Sequence, residues 1–243
     1  MVKRERADRL LVERGLFESR ARAQAAIAAG QVTADGRLVR KASDAIASSA
    51  VIAAAPAHPY VSRGGIKLAA ALETFPVEIA ERVCLDVGSS TGGFTEALLT
   101  RGARHIYAVD VGRDQLHPRL HDHPRVTSIE QTDIRNILPS QLPELVDFAA
   151  IDVSFISLKL VLPHVSGLLK PVATLLALIK PQFEAGRRHV KKGIVRDPDV
   201  QAVACDDIAH LLTQLGWGII GRAPSPIPGG DGNREFFIGA RRG

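Results

Sequence analysis

The chain is poor in cysteine, methionine and aromatic residues: of its 243 residues two are Cys, one is Met, one is Trp and two are Tyr. Cys84 lies in an apolar strand-like run and Cys205 in a helix-like run. Two such residues form neither a disulfide framework nor a zinc spacing, so they read as small buried hydrophobes of a reduced, cytoplasmic protein with no metal site. No stretch approaches the roughly 20 apolar residues of a membrane span. The N-terminus is charged from Lys3 and has no apolar core, so no secretory leader is expected. With few aromatics, any nucleic-acid contact is expected to use backbone and shape more than base stacking, with Phe155 and Trp217 in the core.

What is present describes a packed globular chain, 46% hydrophobic and 23% charged. Lys and Arg total 31 against 26 acids, a net charge of +5 that permits nucleic-acid binding without establishing it. The placement is more informative. Lys3, Arg4, Arg6, Arg9, Arg14, Arg20, Arg22, Arg37, Arg40 and Lys41 crowd into the first 41 residues, with few acids among them.

Residues 1–55 read as a small α+β module. Helical spacing runs from Ala7 to Arg14 and, behind an N-cap at Ser19, from Arg20 to Ala29. Residues 31–39 alternate around Asp35-Gly36, a two-residue hairpin signal, and residues 48–55 suggest another strand. Residues 56–62, punctuated by Pro56 and Pro59, form the expected linker, and residues 63–243 a second domain. There, apolar strand-like runs at 82–87, 105–111, 126–129, 148–153 and 173–179 alternate with helical patterns at 66–75, 94–101, 158–169 and 199–215. Two more strands, at 218–223 and 235–240, finish the chain. That alternation predicts an α/β fold, a Rossmann-like doubly wound parallel sheet with an antiparallel edge at its end.

A glycine-rich turn, Asp86-Val-Gly-Ser-Ser-Thr-Gly-Gly, follows the first of these strands and opens a helix. Glycine lets backbone approach a ligand, and the helix N-terminus offers free N–H donors. The turn departs from the G-x-G-x-x-G of dinucleotide sites and begins with an acid. A carboxylate there repels a pyrophosphate and suits a cation such as the amino-acid end of S-adenosylmethionine. Asp86, Gly88, Ser89, Ser90, Thr91, Gly92 and Gly93 are therefore candidate cofactor residues. Asp110, ending the next strand, is placed for two ribose hydroxyls, and Asp133, ending the third, for an adenine amine. Each alone reads equally as a cap; three in succession behind a glycine turn favour a cofactor.

Four charged residues stand at the ends of separate apolar segments: Lys67, Asp152, Lys180 and Glu235. Pro181 stops the strand before Lys180 and points the lysine toward the crevice where open α/β sheets bind ligands. Singly, each reads as a solvated charge or structural ion pair. Together they suit proton removal from a weakly acidic hydroxyl as it attacks a methyl carbon. A lysine made neutral by burial and a second nearby amine accepts the proton, while the two acids orient the amines and oppose that neutralisation.

The segments 61–68, 85–95, 152–157, 179–184 and 232–237, from Val-Ser-Arg-Gly-Gly-Ile-Lys-Leu to Gly-Asn-Arg-Glu-Phe-Phe, resemble the TlyA family over nearly the whole chain. The resemblance implies an S-adenosylmethionine-dependent cytidine 2′-O-methyltransferase acting on ribosomal RNA or ribosomal subunits, with an S4-type RNA-binding module and an FtsJ-like catalytic domain. It implies the tetrad Lys67, Asp152, Lys180 and Glu235, and the cofactor region named above. The chain stops soon after its last strand, without the extension of dual-acting members, which favours the large subunit. RNA contacts are expected from Arg4, Arg6, Arg20, Arg22, Gln24 and Lys41, and from Arg187, Arg188, Lys191 and Lys192 in the loop after Lys180, where basic side chains meet phosphates. Each arginine of the first module reads about equally as part of a solvated helix face. The rival readings are a non-catalytic RNA-binding assembly factor, against which the complete tetrad counts, and a membrane-active hemolysin, which lacks a lipid-facing segment.

Overall fold

A computed structural model describes residues 3–243. The chain divides into two compact units, Met1–Pro59 and Tyr60–Gly243. In the first, strand β1 (Arg4–Arg6) leads into helices α1 (Ala7–Glu13) and α2 (Arg20–Ala28), followed by strands β2 (Val32–Ala34), β3 (Arg37–Leu38), β4 (Ala45–Ala47) and β5 (Ile52–Ala54). Ser19 caps α2, its hydroxyl accepting from the Arg22 amide. Asp35 and Gly36 both take positive φ, 49° and 75°, the turn that joins β2 to β3. Leu10, Leu11, Phe17, Ile27, Val32 and Val39 form the core. The expected strand over 48–55 is only Ile52–Ala54, and β1 pairs antiparallel with β4, a pairing that three-residue strands are too short to announce by alternation.

The second unit contains α3 (Arg63–Thr74), β6 (Val83–Val87), α4 (Gly93–Thr100), β7 (His105–Val109), α5 (Pro118–His121), β8 (Val126–Ile129) and β9 (Val146–Ile151). It continues with α6 (Leu158–Leu168), β10 (Leu169–Ile179), α7 (Pro181–Glu184), α8 (Pro198–Gln214), β11 (Gly218–Pro224) and β12 (Phe236–Arg242). Seven strands make one sheet in the order β11-β12-β10-β9-β6-β7-β8. Strands β8, β7, β6, β9 and β10 run parallel, whereas β12 is antiparallel to both β10 and β11. The antiparallel strand therefore sits inside the sheet, one place from its edge, and not at the end as the alternation predicts.

The central strands are buried on both faces, which is why they read as continuous apolar runs. Leu158, Val161, Leu162, Ile208 and Leu212 of α6 and α8 cover one face. Leu68, Leu72, Phe94, Leu98 and Leu120 of α3, α4 and α5 cover the other. Trp217 is core, its indole N–H donating to Ser166 Oγ with the Arg242 guanidinium over the ring. Tyr60 and Val61, within the expected linker segment, pack against the α3–α4 core of this unit. Chain order reverses between β6, which is followed by β7, and its other neighbour β9. The crevice beyond their C-terminal ends is the switch point where doubly wound sheets bind ligands.

Candidate active site

Three of the four tetrad residues enter that crevice directly. Asp152 follows β9, and its amide donates to the Val87 carbonyl at 2.9 Å, closing the loop across the ends of β6 and β9. Lys180 follows β10, and Pro181 begins α7, so the chain turns away and leaves the amine behind. Its Nζ lies 2.6 Å from Asp152 Oδ1, a close ion pair directed off the hydrogen-bond axis, and 2.8 Å from Ser154 Oγ. Lys67 sits on α3, where the helical period turns it inward with Leu68 and Ala71, and its Nζ donates to Glu235 Oε2 at 2.5 Å. Glu235 stands one residue before β12. Lys67, Asp152 and Lys180 line one cavity of about 390 Å³ together with Ser62, Gly88 and Ser89. Glu235 is buried behind Lys67.

A second cavity of about 350 Å³ shares Gly88, Ser90, Asp152 and Ser154 with the first. Val87, Val109, Ile134 and Val161 give it an apolar lining, and Asp110 and Asp133 supply carboxylates. Asp110 is already organised by backbone amides of two loops: Oδ2 accepts from the Ser90 amide and Oδ1 from the Gly112 amide. Asp133 is not at a strand end, because β8 stops at Ile129. Instead it caps a short 3-10 turn and grips Arg135 at 2.6 Å, and that guanidinium holds its carboxyl below the usual range.

The glycine turn divides its labour. Gly88, at φ +84°, would place a Cβ 2.3 Å from the Asp152 carbonyl, so only glycine lets the turn pass under the Asp152 loop. Gly92, at φ +96°, precedes α4, whose first residue is Gly93. Ser90 and Thr91 line the cavity with Ser89. Asp86 does not reach it: the carboxylate is fully buried, with Oδ2 accepting from Thr95 Oγ1 at 2.6 Å. Burial pushes its pKa up to about 7. Asp86 Oδ1 and Ser89 Oγ are buried polar atoms without a protein partner.

Phe155 overturns an expectation. It is 91% exposed, at φ +64°, and borders the second cavity with its ring 5.3 Å from that of Phe183. Its apolar neighbours in sequence suggested core, but β9 ends at Ile151, so Phe155 is a loop residue. Two further tethers were not legible in the sequence. Ser157 Oγ and the Leu158 amide both donate to Glu184, at 2.5 and 2.8 Å, joining the loop after Asp152 to the helix after Lys180. The acid's burial raises its pKa.

In the first unit, the arginine face is built around an acid. Asp8 is fully buried and accepts from Arg6, Arg20 and Gln24 at 2.7–3.2 Å, the two guanidiniums remaining more than half exposed. Arg4 donates to the Ala45 carbonyl at 2.5 Å, Arg22 is half-buried, and Lys41 is exposed. In the second unit Arg187, Arg188, Lys191 and Lys192 are all exposed after α7. Among the described residues no cluster of His, Cys, Asp and Glu could hold a metal.

Residues 60–242 match the FtsJ-like methyltransferase family and residues 5–52 the S4 domain. The fold and crevice thus define a methyltransferase of the FtsJ-like class. The chain is 42% identical, over 99% of its length and 91% of the relative's, to the 16S/23S rRNA (cytidine-2′-O)-methyltransferase TlyA of Mycobacterium tuberculosis. It is 37% identical to hemolysin A of Brachyspira hyodysenteriae, over 96% of this chain and 98% of that one. The solved structure of a candidate hemolysin from Streptococcus thermophilus superposes with a TM-score of 0.78 at 39% identity, covering 100% of this chain and 90% of that one. The chain belongs to the TlyA family. Among the described residues no helix is long and apolar enough to cross a membrane.

Proposed function

We propose that this chain transfers a methyl group from S-adenosylmethionine to the ribose 2′-hydroxyl of a cytidine in ribosomal RNA, in the cytoplasm. The observation that carries this reading is the gathering of two lysine–carboxylate pairs beside a glycine turn at the switch point of the sheet. Residues 1–55 would bind RNA, residues 56–62 would link, and residues 63–243 would catalyse. Relatives whose names specify rRNA cytidine-2′-O-methylation support the choice of substrate.

The residues at hand fit the cofactor. Ser89 Oγ, buried without a protein partner on a residue that lines the first cavity, suits an amino group arriving at the turn, whereas Asp86, outside that lining, supports the turn through Thr95. Asp110 and Asp133 line the neighbouring apolar cavity, where a ribose and an adenine fit. When bound, S-adenosylmethionine supplies an electrophilic methyl carbon. The protein's own task is to hold the hydroxyl in line and receive its proton. Lys180 and Lys67 are the two amines facing that point. Asp152 and Ser154 orient Lys180, and Glu235 orients Lys67. The exposed ring of Phe155 offers a stacking face for the base of the target nucleotide. Arg4, Arg6, Arg20, Arg22, Gln24 and Lys41 would set the RNA's position through phosphates, with Arg187, Arg188, Lys191 and Lys192 adding charge near the crevice.

The test is to map ribose methylation on ribosomal RNA from cells with and without this protein. Loss of 2′-O-methylation at one or more cytidines, restored by the purified chain with S-adenosylmethionine, is expected. Identical maps, and no methyl incorporation in vitro, would leave the RNA-binding assembly factor as the better reading.

A further inference from the structure

Asn233 lies in the glycine-rich loop before β12, where an asparagine would ordinarily face water, yet it is 1% exposed. Its amide spans to another loop. Nδ2 donates to the Gly193 carbonyl at 2.8 Å, and Oδ1 accepts from the Val195 amide at 3.1 Å. The buried Gln201 of α8 completes the anchor, donating from Nε2 to the Val195 carbonyl at 2.8 Å.

The segment so gripped is the basic one. Lys191 and Ile194 pair across a tight turn in which Lys192 and Gly193 take φ of 51° and 79°. Arg187, Lys191, Lys192 and Arg196 are exposed, and within the described residues none of them forms an ion pair. On the other side of Asn233, its own carbonyl accepts from the Gly229 amide at 2.9 Å, and two residues onward Glu235 holds Lys67. Gly229 packs so closely on Glu235 that a Cβ there would lie 2.5 Å from Oε1. The Asn233 side chain and carbonyl thus form a continuous path of contacts from the basic turn to the backbone beside Glu235.

We propose that Asn233 is a positioning residue that couples phosphate binding on the Lys191–Lys192 turn to the alignment of the Lys67–Glu235 pair. This rests on the methyltransferase reading above. RNA that seats its backbone on the turn steadies Val195 and Gly193, hence Asn233, hence Glu235. RNA on the turn then holds the pair more firmly in the 2.5 Å contact that the chain already makes. The basic turn contributes to the turnover rate as well as to RNA affinity, and Asn233 is what transmits that contribution. Cofactor binding, on the glycine turn, lies outside this chain of contacts.

The experiment is a double-mutant cycle with the full-length protein, tritiated S-adenosylmethionine and deproteinised ribosomal RNA. K191Q/K192Q is expected to raise KM for RNA and to lower kcat by roughly fivefold or more, and N233A to lower kcat by about tenfold, effects within the range of coupled neighbours. Adding K191Q/K192Q to N233A should raise KM again while leaving kcat unchanged. Multiplicative losses in kcat overturn the coupling. Cofactor affinity and melting temperature serve as the fold control; if N233A does not fold, Q201L, which frees the Val195 carbonyl, takes its place with the same expectations. Hydrogen exchange on the unaltered protein gives a readout independent of methyl transfer. RNA should slow exchange in 191–196 and 233–237 together, and slowing confined to 191–196 refutes the inference. Should the wild-type protein transfer no methyl group while RNA protects both segments, the methyltransferase reading falls and the coupling survives. Absence of any protection by RNA removes both the basic turn and Asn233 from RNA recognition.

Discussion

Replacing Lys180 with methionine keeps the length of the side chain and deletes its charge and donors. In the folded protein its Nζ is 2.6 Å from Asp152 Oδ1 and 2.8 Å from Ser154 Oγ, and the side chain is only 10% exposed. Two consequences can be separated. The first is chemical. A positioned proton acceptor contributes about 10²–10⁴ in rate, equivalent to roughly 2.7–5.5 kcal/mol at the transition state. The second is structural. Asp152 loses its ammonium, and an orphaned buried charge costs about 3–5 kcal/mol when fully dry. Asp152 retains 19% exposure, so the loss is smaller, and a domain with about 5–15 kcal/mol of stability stays folded. Single-turnover transfer of a tritiated methyl group to ribosomal RNA should therefore fall by about 10²–10⁴, while calorimetric affinity for S-adenosylmethionine changes by less than about threefold, because the cofactor's proposed contacts lie on the glycine turn. K180R should be no better, since a planar guanidinium stays protonated and does not reproduce the amine's geometry. A K180M rate within about fivefold of wild type would be too small for a group in proton transfer and would remove Lys180 from the mechanism.

Three further outcomes follow from particular contacts. Asp86, whose carboxyl is pushed up to about 7, binds its proton more tightly folded than unfolded. Its stabilisation is therefore complete below about pH 4 and is lost as pH rises through about 7, a span worth at most ~4 kcal/mol. In urea unfolding D86N should gain on wild type as pH is raised from about 5 to 8, and parallel stability curves would refute the assignment. G88A forces a Cβ to 2.3 Å from the Asp152 carbonyl at φ +84°, so it should lower the melting temperature by about 5 °C or more and weaken cofactor binding; an unchanged melt would contradict the close packing of the two loops. F155A removes an exposed ring, so stability should stay within about 0.5 kcal/mol while RNA methylation drops roughly 5- to 150-fold, the value of one stacked base; undiminished methylation would deny the ring a part in substrate binding.

Much of this architecture was readable in one dimension. Residues 126–129 form the expected strand, and the helix expected over 199–215 lies at Pro198–Gln214, since burial on both faces of a sheet and on one face of a helix leaves periods that composition cannot hide. Asp35-Gly36 made its hairpin because few residue pairs accept two positive φ values in succession. The position of β12 within the sheet was not readable, because strand order depends on contacts between segments distant in the chain. Phe155 was misread for a related reason: an aromatic in an apolar stretch looks buried until the strand is known to stop at Ile151.

The site shows the same division. Residue type and local punctuation, a lysine before a proline, an acid ending an apolar run, a glycine turn opening a helix, were enough to nominate Lys180, Asp152 and the cofactor turn. The pairing of those charges belongs to the folded chain alone. Lys67 and Glu235 lie 168 residues apart and meet at 2.5 Å only because β12 inserts antiparallel beside β10. Asp8, placed beneath the arginine face, and Asn233, buried between two loops, each look like ordinary surface polar residues until the fold encloses them. Short-range sterics and periodicity are written into neighbouring residues, whereas the partner of a buried charge is set by which distant segments the core brings together.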